Sequence, residues 1–294
     1  MPTVSVVLAT RNQARWLDQA IAGVRAQTFT DWDLWVVDDG STDDTPAVVA
    51  RHADDPRVRS LREPHRERAA ARNRGIAAST GALVAFLDGD DWWLPGKLAA
   101  QVAALERNRD AGWSYARAEV VDTDGRPLGE RKPKRLVRGD VFAALARGNV
   151  LILSSVLVRR TCLTEAGGFD TTLPVLGCED WDLWLRLASR WPVAVLEAPL
   201  VCYRRHDENT AREQVLESAL AVIDRHWADP ETPRRSGCSR ARVRALHRWW
   251  HAAALAGVSR GEALDHARRA LREAPRTLLS RPALHAVAAL ARPA

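Results

Sequence analysis

The apolar run "ALVAFLDGDD" at residues 82–91 ends in three carboxylates within four positions, Asp88, Asp90 and Asp91. A desolvated carboxylate is costly unless a cation or a hydrogen-bond donor offsets it. Mg²⁺ and Mn²⁺ prefer oxygen ligands, take one or two carboxylates, and complete their shell with phosphate oxygens and water. "DGD" offers two carboxylates one residue apart, with Gly89 allowing a tight turn between them. Capping the helix that follows Pro95 needs one acidic residue, a role that suits Asp91 and leaves Asp88 and Asp90 over.

Other polar clusters have the same dual character. In "VVDDGSTDDT", Asp43 and Asp44 suit a helix cap, whereas Asp39 sits at the end of an apolar run, placed to accept a hydrogen bond from a nucleobase or ribose. "TRN" at 10–12 closes the first apolar run. In "RAAARNRG", Arg68 and Arg74 fit a solvated face. Arg72, with Asn73 and Gly75, fits a diphosphate, because a guanidinium binds two oxygens at once. Glu179 and Asp180 open a helix, where the macrodipole alone favours carboxylates; the functional reading is a general base. His206, in "YRRHDENT", is either a core histidine or a third metal ligand. Trp181, Trp92 and Trp93 are core residues or a sugar-stacking face.

The elements that must position these residues read as an alternation. Short apolar runs at 4–9, 34–38, 58–61 and 83–87 are separated by helical periodicity, as in Trp16, Leu17, Ile21 and Val24. Continuous apolar strands alternating with helices predict βαβ units and a mostly parallel sheet flanked by helices. Ligands bind such sheets at the carboxyl ends of the strands, where "TRN", "DDGSTDDT" and "DGDD" all fall. Past residue 110, alternation around Asp124-Gly125 predicts a hairpin. The basic loop "GERKPKRLVRG" at 129–139 suits a lid or acceptor contact, and "VLILSSVLVRR" reads as a buried strand. From about residue 211 the chain reads as a helical extension.

With 294 residues, 46% of them hydrophobic, the chain has material for one large core with an appendage. No run approaches the roughly 20 apolar residues of a membrane span, and no charged leader precedes the first apolar run, so the expected location is the cytoplasm. Four widely spaced cysteines form no CxxC pair and read as reduced, structural thiols. Residues 231–294 hold 13 Arg against 4 acidic residues, a local +9 that leaves about −3 for the rest of the net +6. Without an aromatic-interleaved nucleic-acid module, this tail reads either as a solvated helical surface or as helices that shape the acceptor side or dock a partner subunit, a second copy included, or an anionic membrane face.

The ordered set "SVVLATRN", "VVDDGSTDDT", "AARNRGIAASTG", "VAFLDGDDWWLPGKL", "GGFDTTL", "CEDWDLWLRL" and "YRRHDENT" resembles family-2 glycosyltransferases of the GT-A fold, over about residues 3–210. The resemblance implies a Rossmann-like α/β domain at 1–210 and a helical region at 211–294. It implies that Asp39 pairs with the base of a nucleoside-diphosphate sugar, usually uridine, and that Asp88 contacts the ribose or donor sugar. Asp90 would bind Mn²⁺ or Mg²⁺, with His206 approaching the metal or diphosphate. Thr10, Asn12, Arg72, Asn73 and Gly89 would complete the donor site, and Trp181 and Trp92 would contact sugar or acceptor. Asp180 of the Glu179–Asp180 pair would be the base in a single inverting displacement onto an acceptor hydroxyl of a saccharide, lipid-linked sugar or natural product. Leu8-Ala9-Thr10 stands where many relatives carry Pro-Thr or Pro-Ala, so the base-binding rim differs. The competing readings are a haloacid-dehalogenase-like phosphohydrolase, whose nucleophilic Asp would end the first strand, and a non-catalytic sugar-nucleotide binder, which would be expected to lack the base. A dinucleotide oxidoreductase lacks its GxGxxG after strand one.

Overall fold

A computed structural model describes residues 1–173, 177–206 and 212–291. Residues 207–210 of the "YRRHDENT" motif, and the expected boundary at 210/211, lie outside the described residues. In chain order the elements are β1 (Val4–Thr10), α1 (Ala14–Arg25), β2 (Trp32–Asp39), α2 (Thr45–Ala50), β3 (Val58–Glu63), α3 (Arg68–Ala78), β4 (Leu83–Asp88), β5 (Trp92–Trp93), α4 (Lys97–Arg107), β6 (Trp113–Val121) and β7 (Pro127–Lys132). Then come α5 (Phe142–Leu145), β8 (Val156–Arg159), α6 (Arg160–Ala166), α7 (Glu179–Arg190), β9 (Val193–Arg204), α8 (Arg212–His226), α9 (Glu231–Ser236), α10 (Arg240–Leu255), α11 (Arg260–Glu273) and α12 (Arg281–Leu290).

Among the described residues the strands form one α/β sheet in the order β3-β2-β1-β4-β8-β6-β9-β5, with β7 paired to β6. The β3-β2-β1-β4 portion is parallel, as the alternating pattern predicts. Strand β8 then runs antiparallel to both β4 and β6, and β6 is parallel to β9. The hairpin expected around Asp124-Gly125 is β6–β7. Two expectations shift. The run at 150–160 becomes a strand only at Val156, after a 3₁₀ turn at Leu153–Ser155, and the basic loop is strand as far as Lys132.

Strands β1 and β4 are largely apolar on both faces because both are covered. Val4, Val6 and Leu8 of β1 pack with Leu17, Ile21 and Val24 of α1, while Val7 faces α3. There, a Cβ at Gly75 would lie 2.6 Å from Val7 Cγ1 and 3.2 Å from Val37 Cγ2. Gly75, grouped with Arg72 and Asn73 on sequence grounds, therefore serves close helix–sheet packing and not the diphosphate. Valine is stiff at χ1 and cannot swing away. Gly75→Ala is expected to cost about 1–3 kcal/mol by overpacking against a helix-propensity gain of about 1 kcal/mol. The net loss of stability is read by denaturant unfolding, and a stabilised variant would refute it.

The chain folds into two compact units, one of 1–141, 150–171 and 183–209, the other of 142–149, 172–182 and 210–294. The second unit thus takes in two segments from within the first 210 residues as well as the C-terminal helices. Its core is built from small residues around one tryptophan: Ala245, Trp249, Ala252, Ala267, Ala270, Ala283 and Ala286. The basic tail is partly consumed internally, since Arg240 and Arg244 pair with Asp224, and Arg244 and Arg248 with Glu273. Trp249 of this tail is buried, its indole N–H donating to Thr277 Oγ1 at 3.0 Å. No described helix is long and apolar enough to cross a membrane. All four cysteines are unbridged and buried.

Candidate active site

Strand register brings the polar clusters level. Thr10 lies beside Asp38 and Ala9 beside Asp88, so the tips of β1, β2 and β4 line up. The loops beyond them interlock. Asn12, at φ +53°, donates its backbone N–H to Ser41 Oγ (2.9 Å) and accepts the Thr42 N–H on Oδ1 (2.8 Å). The Thr10 hydroxyl donates to Gln13 Oε1 at 3.0 Å. A Cβ at Gly89 would meet that same Oε1 at 2.6 Å and Thr10 Oγ1 at 2.9 Å, so a side chain in the "DGD" turn would have to displace the Gln13 amide and the Thr10 hydroxyl.

Asp39 is buried at the β2 tip and accepts from the backbone N–H groups of Arg66 (2.7 Å) and Glu67 (3.0 Å) and from His65 Nδ1 (2.7 Å). It thereby seats the loop leading into α3, including Glu67 in the left-handed region at φ +79°. From α3, Arg72 reaches Asp88 with a 2.8 Å ion pair and lies over Phe169, 5.3 Å from the ring centroid. Asn73 turns elsewhere. Its amide donates to Phe169 O (2.7 Å) and accepts from Phe169 N–H (2.9 Å), clamping the "GGF" segment.

The acidic turn is held from three sides. Asp88, Asp90 and Asp91 each offer an oxygen within 4.8 Å of the others. Asp91 is buried and accepts from Ser154 Oγ (2.6 Å) and the Arg204 backbone N–H (2.9 Å). It ties the turn to β9 and does not cap α4, whose N-cap is Gly96. Burial, then the charges of Asp90 and Asp88, push Asp91 well above the usual carboxylate range. Asp88 is raised by burial, with Arg72 pulling back and Asp90 adding to the rise. Three carboxylates that crowd one another in this way gain when a cation shares them. Asp90 keeps its carboxylate toward His206, with Nε2 and Oδ2 2.9 Å apart. A hard cation suits this set of carboxylate oxygens, with the imidazole beside it.

The second unit carries the helix-start carboxylates. Asp180 accepts from the Trp181 N–H at 2.7 Å and from Asn149 Nδ2 at 2.9 Å. Glu179 is buried and accepts the Gly177 N–H at 2.9 Å. Cys178 is pushed up to about 12, by burial first and then by Asp180, so the thiol stays protonated beside them. Trp181 is fully buried, with its indole N–H donating to Leu145 O at 2.7 Å and its ring stacked on His247 at 5.1 Å. It therefore cannot serve as a sugar platform. Trp92 is half-buried under the Arg204 guanidinium, 4.8 Å from its ring centroid. The basic segment contributes to a cleft of about 530 Å³ lined by Glu119, Gly129, Glu130, Arg131 and Lys134.

The sequence pattern of the glycosyl transferase family 2 matches residues 5–152, half of the chain. The chain belongs to this family. The Escherichia coli UDP-Glc:alpha-D-GlcNAc-diphosphoundecaprenol beta-1,3-glucosyltransferase WfgD is 26% identical over 225 residues, 76% of this chain and 83% of WfgD. The chain spans about a third of the length of some other curated glycosyltransferases it matches. Among solved structures, S. aureus TarS in complex with UDP-GlcNAc superposes with a TM-score of 0.69 at 16% identity, over 98% of this chain and 89% of that one. The Pyrobaculum calidifontis mannosyltransferase PcManGT, in complex with GDP-Man and Mn²⁺, gives 0.61 at 19% identity, over 98% and 86%. These likenesses agree with the GT-A architecture. In this family 2 chain the "DGDD" turn closes β4 whereas β1 ends in Thr10, the opposite of what a haloacid-dehalogenase order requires.

Sequence reasoning passed over Arg204 and Ser154. Arg204 is buried, donating from Nε to Asp90 O (2.9 Å) and from its terminal nitrogens to Thr123 O and Gln19 Oε1 (2.6 Å each). It stands two residues before His206 in "YRRHDENT", and that spacing puts residues on one side of an extended chain. Arg204→Met is expected to lower unfolding free energy by about 3 kcal/mol, because buried acceptors lose a charged donor. Denaturant melts measure it, and a change below about 0.5 kcal/mol would show that the staple is dispensable.

Proposed function

We propose that this chain is an inverting glycosyltransferase that moves a sugar from a nucleoside-diphosphate donor, UDP-linked first among them, to a hydroxyl of a saccharide acceptor, lipid-linked sugars included. The observation that carries this reading is the carboxylate triad with its neighbouring histidine at the end of β4, level with the tips of β1 and β2. UDP-GlcNAc in TarS, GDP-Man in PcManGT and the UDP-Glc donor in the name of WfgD support the donor class; the diphosphoundecaprenol-linked acceptor named for WfgD supports the acceptor.

In this reading Asp39, with Thr10 and Asn12 along the rim, receives the base or ribose. Arg72 fixes Asp88 toward the ribose or donor sugar, and Asn73 holds the "GGF" segment beneath. Gly89 lets the turn close onto Gln13 and Thr10, which brings its backbone to the rim where the diphosphate would lie. Mn²⁺ or Mg²⁺, held by Asp90 with Asp88 and His206, would offset the charge of the leaving diphosphate. Asp180 takes the proton from the acceptor hydroxyl, and Glu179 shapes the helix start. A single displacement of this kind needs no covalent intermediate. In the same reading Trp92 and the basic segment at 129–139 contact the acceptor. Contact with an anionic membrane face through the tail, pairing with a second copy, and a cytoplasmic location belong to the same proposal.

The test is a sugar-nucleotide screen by mass spectrometry with Mn²⁺ or Mg²⁺, using mono- and disaccharide and GlcNAc-diphospholipid acceptors, with free-nucleotide release as the first readout. The expected outcome is acceptor-stimulated UDP release from one donor, with the anomeric configuration inverted. No release from any donor, together with UDP and GDP binding indifferent to the metal, would sink the proposal.

A further inference from the structure

The second unit encloses its helix-start carboxylate in a small framework that the proposed chemistry does not by itself explain. Asn149 donates from Nδ2 to Asp180 Oδ2 at 2.9 Å while the Trp181 N–H donates to Oδ1 at 2.7 Å, so both oxygens have a fixed donor and the carboxylate plane is set. Asn149 is itself exposed, and an exposed amide has little reason to stay in one rotamer unless its backbone is held. The holding comes from α10. Gly148, at φ +155°, lies flat against Trp250, where a Cβ would come within 3.1 Å and 3.2 Å of the ring. His247 hydrogen-bonds the backbone of Arg147, stacks on Trp181 at 5.1 Å and 24°, and meets the Trp250 ring edge-on at 4.9 Å.

We propose that Asn149 is a positioning residue for Asp180, and that His247 and Trp250 of α10 hold the 147–149 segment so that the Asn149 amide points at that carboxylate. This rests on the reading of Asp180 as the base. It gives the helical region a task in the reaction: one face of α10 packs against both the backbone that carries Asn149 and the indole next to Asp180. Burial holds His247 down at about 4, so its ring is neutral at pH 7 and a single N–H serves the Arg147 carbonyl.

A hydrogen bond to the ionised form of a carboxylate favours that form. Asn149→Ala should therefore move the Asp180 titration midpoint to higher pH, read by carboxyl ¹³C shifts in the full chain and assigned by the loss of that signal in Asp180→Asn. The same variant should lower kcat on the donor and acceptor pair from the screen by roughly ten- to a hundredfold, with KM for the donor, Mn²⁺-dependent UDP binding and melting temperature unchanged. Its acidic limb in the kcat–pH profile should shift in the same sense as the NMR midpoint. Trp250→Ala should act in the same direction, and combined with Asn149→Ala it should add little, because the two changes remove one interaction. Trp250→Phe keeps a ring against Gly148 and should retain most of the wild-type behaviour, which separates positioning from loss of fold.

An unmoved Asp180 midpoint in Asn149→Ala overturns the positioning role, and full additivity with Trp250→Ala overturns the part given to α10. The base reading fails separately: Asp180→Asn would then stay active, whereas an inactive Asp180→Asn with a wild-type Asn149→Ala defeats only this inference.

Discussion

Asp180→Asn is expected to lower transfer by about 10²–10⁴-fold, the span that removal of a general base usually covers, while leaving Mn²⁺-dependent UDP affinity as it was. The side chains are nearly the same size, so the fold around the start of α7 survives, and the Trp181 N–H keeps an oxygen to donate to. What disappears is the proton acceptor that the proposed mechanism gives to the incoming hydroxyl. The residues assigned to nucleotide, Asp39, Arg72 and Asp88, all lie in the first unit, whereas Asp180 belongs to the second. The two readouts are therefore independent. Nucleotide release under saturating donor and acceptor gives the rate, and titration calorimetry with UDP gives the affinity. Activity within tenfold of wild type would remove Asp180 from the base role. Glu179 offers the contrast, since it is buried and engaged with the Gly177 N–H. Glu179→Gln should lower the melting temperature more than it lowers kcat at temperatures where the variant is folded.

The parts of the site legible in the sequence were those fixed by local pattern. A strand buried on both faces has to be an uninterrupted apolar run, and its end has to be polar, so the tips of β1, β2 and β4 announced themselves before any contact was known. What stayed hidden depended on partners distant in the chain. Strand β9 is the longest in the sheet, yet Glu197 and Pro199 break its apolar pattern. Its register against β6 shifts at that point, which lets a residue without an N–H sit in the strand. Missing β9 meant missing Arg204, which has no role until that strand brings it to the acidic turn. Trp181 failed for a related reason. A tryptophan beside acidic residues at a helix start reads equally as platform or core, and the decision is made by His247, far along the chain. Asn73 looked like a diphosphate ligand from its neighbour Arg72, but successive residues on a helix point in different directions, and only Arg72 turns toward Asp88.

Asp90→Asn is expected to separate function from stability in the opposite direction to a core mutation. Asp90 contributes to the raised proton affinity of both Asp88 and Asp91, so in the metal-free protein its charge is a source of repulsion. Neutralising it relieves that repulsion at the cost of a weaker partner for His206, whose Nε2 is 2.9 Å from Oδ2. The backbone of the turn stays fixed regardless, because Arg204 Nε grips the Asp90 carbonyl and Asp91 is anchored by Ser154 and β9. The metal-free melting temperature should therefore hold or rise. With Mn²⁺ and UDP present the order reverses. A ligand at 100 times its Kd stabilises the folded state by about 2.7 kcal/mol, and that increment should appear in the wild type and vanish in the variant, with UDP affinity at least about a hundredfold weaker. Thermal melts in EDTA, in Mn²⁺, and in Mn²⁺ with UDP measure all three quantities on one sample. A large fall in the EDTA melt would make Asp90 a structural carboxylate, and an undiminished Mn²⁺ and UDP increment would place the cation elsewhere. Under the proposed function, charge crowded at the β4 tip beyond what folding needs is the folding cost of a site that would become stable when the cation and diphosphate arrive together.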